Sequence, residues 1–236
     1  MAYVGGKSKG AEHIIAILNQ KKYNNMPYLE PFVGYGHILR RVENKKSYQV
    51  SDANPLVVSL LQGVQNKRNK YPEISREQYY KLKPKIGDTS FKRAIAAFCY
   101  SYNGKEWGGY TLVSSCERKE NYPLERKNYY DLLRKNEPFM KSKITHCDYK
   151  KWKPKGYLIY CDPPYAKTTG YSPDFDHKVF WDTMRKWSKN NIVYISEYNA
   201  PKDFKCVAKK AKTQSLNGKG AGKVVYEKLF HFKRNT

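Results

Sequence analysis

An apolar run of strand character, Leu158-Ile159-Tyr160-Cys161, stops at Asp162-Pro163-Pro164-Tyr165. Two consecutive prolines cannot continue a hydrogen-bonded ladder, and each biases the residue before it toward an extended conformation, so the chain leaves the sheet in a stiff turn. The stop sets a carboxylate and the first proline's carbonyl at the carboxyl end of a buried strand, which in an open α/β sheet is where ligands bind. The same grammar occurs earlier. A helix is expected over residues 11–20, from the spacing of Ala11, Ile14, Ile15 and Leu18. Residues 26–32 then read as a short buried strand running into the glycine turn Gly34-Tyr35-Gly36, with a helix expected over 38–42. Residues 47–51 read as a second strand that ends at Asp52, and Pro55 is suited to open a helix through 57–61. Strand, helix, strand, helix predicts a doubly wound sheet.

From about residue 65 the pattern changes. Through residue 144 the chain is polar and basic, with an amphipathic helix over 91–100, a glycine-rich turn at 104–109 and a second helix near 128–135. Strand grammar resumes at 144–147 and 157–161, followed by a helix at 180–187, a strand at 192–196 and an alternating strand at 224–232. The lysine-rich stretch 202–223 is expected to be a mobile loop. The organisation predicted is an α/β, Rossmann-like domain built from 1–64 and 145–236, interrupted by a mainly helical subdomain over 65–144.

Charge narrows the partners. Lys and Arg total 45 against 21 acids, a formal net charge of +24 spread along the 236 residues. Such an imbalance attracts polyanions through a long-range, salt-sensitive field. Tyrosine dominates the rings, with 22 Tyr against 9 Phe and 4 Trp, and a ring with a polar tip suits a wet binding surface. The five cysteines, Cys99, Cys116, Cys147, Cys161 and Cys206, are widely spaced and match neither a zinc site nor a disulfide framework. No signal-peptide pattern opens the chain, and no apolar stretch reaches the roughly 18 residues of a membrane span. The expectation is a protein without metal or membrane attachment, monomeric or weakly dimeric, located in the cytoplasm or at intracellular DNA.

The tetrapeptide carries the chemistry. An amino group on a nucleobase is a poor nucleophile, because its lone pair is delocalised into the ring. The Asp162 carboxylate and the Pro163 carbonyl can each accept one of its N–H bonds and so raise electron density on nitrogen as it attacks a methyl sulfonium carbon. Tyr165 offers a ring on which an extruded base can stack. An ordinary strand-ending turn is the competing reading. The glycines after the first strand let backbone approach a ligand, and Asp52 is placed to bind ribose hydroxyls. Asp148 ends a later strand and could face the adenine end of the same ligand, or be a solvated loop acid. His37 reads as a polar cap at a helix start. Trp107 could stack on bases or be buried in the helical subdomain. The lysines around Trp152 and in 202–212 are suited to phosphate contact or to a solvated face.

Taken together and in this chain order, Tyr3-Val4-Gly5-Gly6-Lys7, Glu30-Pro31-Phe32-Val33-Gly34-Tyr35-Gly36, Asp52-Ala53-Asn54 and Asp162-Pro163-Pro164-Tyr165 resemble the Dam-like family of adenine-N6 DNA methyltransferases. The resemblance runs from residue 3 to about residue 230. It implies that Tyr3 and Lys7 help enclose S-adenosylmethionine, together with Phe32, Gly34, Gly36, Asp52 and Asp162; Asp148 joins this cofactor site by its strand-end position alone. It further implies that Tyr102-Asn103-Gly104 with Lys105, and the late loop with Lys219 and Lys223, meet double-stranded DNA. Two departures are present: Tyr3 stands where the family often has tryptophan, and Tyr35 and His37 are bulkier than the small residues usual around the glycine turn. The activity implied is site-specific methylation of a flipped adenine, as in restriction-modification systems, phages, viruses or regulatory circuits. An RNA adenine or DNA cytosine-N4 methyltransferase, and a non-catalytic DNA-binding protein on the same scaffold, are the alternatives.

Overall fold

The computed structural model describes residues 10–112, 122–165, 175–214 and 223–233. Helix α1, Glu12–Leu18, precedes strand β1, Pro27–Glu30, and strand β2, Ser47–Asp52. Helix α2, Pro55–Gln65, begins with proline in its first turn, and the Asn54 side chain accepts the Leu56 N–H at 2.9 Å, satisfying one of the amides a helix start leaves open. Four helices follow: α3, Arg76–Leu82; α4, Phe91–Cys99; α5, Tyr122–Arg134; and α6, Glu137–Lys141. Then come β3, Lys143–His146, β4, Leu158–Cys161, α7, His177–Ser188, β5, Ile192–Glu197, β6, Phe204–Gln214, and β7, Lys223–Phe232.

The strands form one seven-stranded sheet in the order β3-β2-β1-β4-β5-β7-β6. β1 runs parallel to β2 and to β4, and β4 parallel to β5, whereas β7 is antiparallel to both β5 and β6. The α/β, Rossmann-like expectation is met. All four residues of β4 are buried, as an inner parallel strand requires.

By compactness the chain divides into two units, one including Val33–Arg41 and Ser51–Cys147, the other Gly10–Phe32, Val42–Val50 and Asp148–Thr236. In the second, Leu29, Ile159, Val193, Ile195, Phe180, Trp181 and Met184 share one core with Phe204 and Phe230. In the first, α4 buries seven consecutive residues from Arg93 to Cys99. The guanidinium of Arg93 is accommodated there by donating to the carbonyls of Leu82, Asp88 and Lys83.

Two local expectations are corrected. The helix over 38–42 is a single 3-10 turn, Leu39–Arg41. Left-handed backbone at Gly36 and at Asn44 bounds it on either side, and the few residues between are too short a stretch to propagate a helix. Within the lysine-rich 202–223 stretch expected as a loop, Phe204–Gln214 is strand β6, running eleven residues against β7 with a bulge between Cys206 and Ala208, and 215–222 lie outside the described residues. Exposed lysines and a bulge are the usual protections of an edge strand, and they hid its periodicity. The free cysteines include buried Cys99 and Cys161 and exposed Cys206; Cys116 lies outside the described residues. No helix among the described residues is long and apolar enough to cross a membrane.

Gly63 in α2 offers a packing test. A Cβ added there would stand 2.0 Å from Cδ2 of Phe91, a distance no packing tolerates. Helix propensity alone favours alanine by up to about 1 kcal/mol, but the displaced ring should cost about 1–3 kcal/mol. Gly63→Ala is therefore expected to lower stability in denaturant unfolding, and a stabilised variant would contradict the packing described.

Candidate active site

The glycine turn is held by the acid at the end of β2. Gly34 and Gly36 have φ of 49° and 71°, in the left-handed region that favours glycine. The Gly34 N–H donates to Asp52 Oδ2 at 3.1 Å, and the Asn54 N–H donates to Asp52 Oδ1 at 2.9 Å. The Val33 N–H also donates to the Ser51 carbonyl at 3.0 Å. Burial pushes the Asp52 carboxyl above its usual 3.8, while the two amides and the nearby His146 pull it back. Each oxygen retains capacity for a further hydrogen bond, which a ribose diol would use. No described atom lies within 4 Å of where a Gly34 Cβ would stand. A left-handed turn with no described atom packed beside it, and a carboxylate that accepts the Gly34 and Asn54 amides, fits the ribose end of S-adenosylmethionine.

The bulky residues of this turn are buried rather than lining open space. Tyr35 is 3% exposed, with its ring edge-on to Phe98 and under the Arg126 guanidinium. Its hydroxyl donates to the Gly104 carbonyl at 3.2 Å, and its own carbonyl accepts from the Tyr129 hydroxyl at 3.0 Å. Tyr35 thus ties the glycine turn to the Tyr102–Gly104 turn, 69 residues on. His37 is not a helix cap. It is a buried ring 4.8 Å from Tyr129 by centroids, and burial, reinforced by the Arg40 charge, pushes its imidazole down to about 3, so it stays neutral near pH 7.

In the Tyr102–Gly104 turn, Asn103 takes φ of 53°, Tyr102 is 54% exposed, and Lys105 follows in an exposed position. Trp107 is half-buried, 5.2 Å from the Tyr79 ring and 5.1 Å beneath Arg93. Packing, not an open stacking face, is what the structure gives it. Asp148 follows β3 and caps the 3-10 turn Tyr149–Lys151, accepting the Lys150 N–H at 2.8 Å. Phe32 is half-buried, with its ring 5.2 Å from Tyr149 and 5.9 Å from Phe180. Tyr3, Lys7 and Lys219 lie outside the described residues, as does the side chain of Lys223, whose backbone begins β7.

The tetrapeptide leaves the end of β4. Asp162 is half-buried, Pro163 buried, and Pro164 and Tyr165 half-buried. The Asp162 charge is close enough to raise the hydroxyl pKa of Tyr160 and Tyr165 and the thiol pKa of Cys161, each already raised mainly by burial. Cys161 is thereby kept a neutral, unreactive thiol. Tyr160 shares a hydrogen bond with Ser196 on β5 at 2.8 Å. The Tyr165 hydroxyl donates to Glu227 Oε1 on β7 at 2.5 Å, and its ring sits edge-on to Tyr198, 4.9 Å between centroids. Glu227 and Tyr198 were not singled out by the sequence. The signal available was Glu227 as the one acid in β7. No cluster of potential metal ligands occurs among the described residues.

The family model for D12 class N6 adenine-specific DNA methyltransferases matches residues 3–216, and the chain belongs to that enzyme family. No curated protein matches the sequence. Among solved structures, the chain is similar to a provisionally assigned RNA methyltransferase from Pyrococcus horikoshii, at 8% identity and TM-score 0.44, covering 95% of this chain and 83% of that one. It is also similar to the rRNA methyltransferase aviRa from Streptomyces viridochromogenes, at 9% identity and TM-score 0.42, covering 98% and 87%.

Removing the Asp52 carboxylate tests its anchoring role. Asp52→Ala leaves the Gly34 and Asn54 amides without their acceptor, a loss of about 1–3 kcal/mol for buried groups. Faster hydrogen exchange at both amides is expected by mass spectrometry. Unchanged exchange would show that another group holds the turn.

Proposed function

We propose that this enzyme methylates the exocyclic amino group of an adenine flipped out of duplex DNA, with S-adenosylmethionine as methyl donor. The observation that carries the reading is Asp162-Pro163-Pro164-Tyr165 leaving the end of the buried parallel strand β4. When bound, S-adenosylmethionine supplies an electrophilic methyl on sulfur. Gly34, Gly36 and Asp52 hold its ribose end, with Phe32, Asp148, Tyr3 and Lys7 as the further contacts proposed. At the other end of the reaction, the Asp162 carboxylate and the Pro163 carbonyl accept the two amino N–H bonds of the adenine. Both acceptors are fixed before the base arrives, so the charge developing on nitrogen is stabilised without reorganisation. Pro164 stiffens the turn, and Tyr165 stacks the extruded base. The surplus proton leaves to Asp162 or to solvent.

The family and a net charge of +24 support DNA as the substrate. Residues 65–144 form the proposed recognition subdomain, in which exposed Tyr102 and Lys105 and half-buried Asn103 approach the target; Lys219 and Lys223 contact the phosphates that set register. The protein acts where DNA is, inside the cell, as a monomer or weak dimer, in a restriction-modification or comparable setting.

Asp162→Ala is expected to lower transfer from tritiated cofactor to duplex DNA by at least about 10²–10³-fold, with cofactor binding only partly weakened. Full activity in that variant would overturn the mechanism.

A further inference from the structure

We infer that Glu227 is the positioning residue for Tyr165: it fixes the tilt of the ring on which the target base stacks. The inference rests on the proposed base-stacking role of Tyr165 and adds what holds that ring in place. Pro163 and Pro164 lock the backbone that leads to Tyr165, but they leave its side-chain torsions free. A ring that rotates presents its face to a base only part of the time, and ordering it on binding costs entropy. Two contacts remove that freedom. The hydroxyl donates to Glu227 Oε1 at 2.5 Å, a charge-assisted bond. The Tyr198 ring meets Tyr165 at 76° with 4.9 Å between centroids, so Tyr198 closes one side of the ring by an edge contact rather than by stacking.

The anchor is itself rigid. Glu227 lies in β7, opposite Lys210 in β6, and β7 continues into its pairing with β5 at Glu197–Lys228. Tyr198 directly follows β5. Three neighbouring strands of the sheet, β4, β5 and β7, therefore supply the tetrapeptide, the edge ring and the carboxylate. A half-buried carboxylate on a strand is costly to keep without a partner, and the phenol is one that it has. The Tyr165 hydroxyl stays a phenol near neutral pH, since burial and the charges of Asp162 and Glu227 hold it well above its usual range.

The test measures single-turnover methyl transfer from tritiated S-adenosylmethionine to duplex DNA, with cofactor affinity measured separately by calorimetry. Tyr165→Phe and Glu227→Ala are each expected to slow transfer about tenfold or more, with cofactor affinity unchanged within about twofold. Because both remove one shared interaction, the double variant should be no slower than the slower single variant. Glu227→Gln keeps an acceptor oxygen and is expected to recover most of the rate lost in Glu227→Ala. Wild-type rates in Tyr165→Phe, or effects that multiply in the double variant, would overturn the proposal. Tyr165→Phe removes a single oxygen, so this arm remains decisive even where Glu227→Ala fails to fold. If the wild-type protein transfers no methyl to DNA, the functional reading fails instead. The anchoring is then read from the ring-carbon NMR resonance beside the Tyr165 hydroxyl, which must shift in Glu227→Gln; an unmoved resonance overturns it.

Discussion

A strand that buries its apolar residues and then stops at a carboxylate has to satisfy that carboxylate where it stops. Four parallel strands here end in or directly before an acid. Glu30, 2% exposed at the end of β1, accepts from the Tyr28 hydroxyl at 2.8 Å. Asp52 at the end of β2 takes the amides of Gly34 and Asn54. Glu197 at the end of β5 accepts the Tyr198 N–H at 2.8 Å. Asp162 directly follows β4, in a turn stiffened by two prolines. Water cannot solvate such groups freely, and around Glu30, Asp52 and Glu197 a phenol and backbone amides are arranged instead. That arrangement gives preformed acceptors in fixed positions, which is what recognition of an amino group or a sugar hydroxyl requires.

The strand ends were legible in the sequence because they combine two strong local signals, a short apolar run and an abrupt acid, glycine or proline. β1, β2, β4 and β5 fall where those runs predict, and α2 starts at Pro55 as its position suggests. What was not legible is held by partners far away in sequence. The 3-10 turn Leu39–Arg41 looks helical in its spacing, yet left-handed Gly36 and Asn44 cut it short. β6 looks like loop because its lysines face solvent on an edge, and only the pairing with β7 makes it a strand.

The site follows the same division. The residue types of the glycine turn and the tetrapeptide could be read directly, whereas the reason for Tyr35 in place of a small residue could not. Its hydroxyl bonds to Gly104, 69 residues away. Glu227 is likewise invisible beside Tyr165 until β7 brings it across a separation of 62 residues. A bulky ring that seemed to threaten a cofactor pocket is a buried strut between two turns, and an acid in a late strand accepts the hydroxyl of Tyr165. In both cases a hydroxyl placed by tertiary structure decides what a local pattern leaves open.

Membership of the D12 class defines adenine-N6 methyl transfer as the chemistry of the family, and the excess of cations makes a polyanion the natural partner. The most direct test of the account is nucleoside mass spectrometry after the purified protein has acted, with S-adenosylmethionine, on duplex DNA and on RNA in parallel. N6-methyladenine is expected in the DNA and is expected to be absent from the Asp162→Ala reaction. Methylation confined to RNA, methylation appearing on cytosine, or an unmodified DNA sample would contradict it.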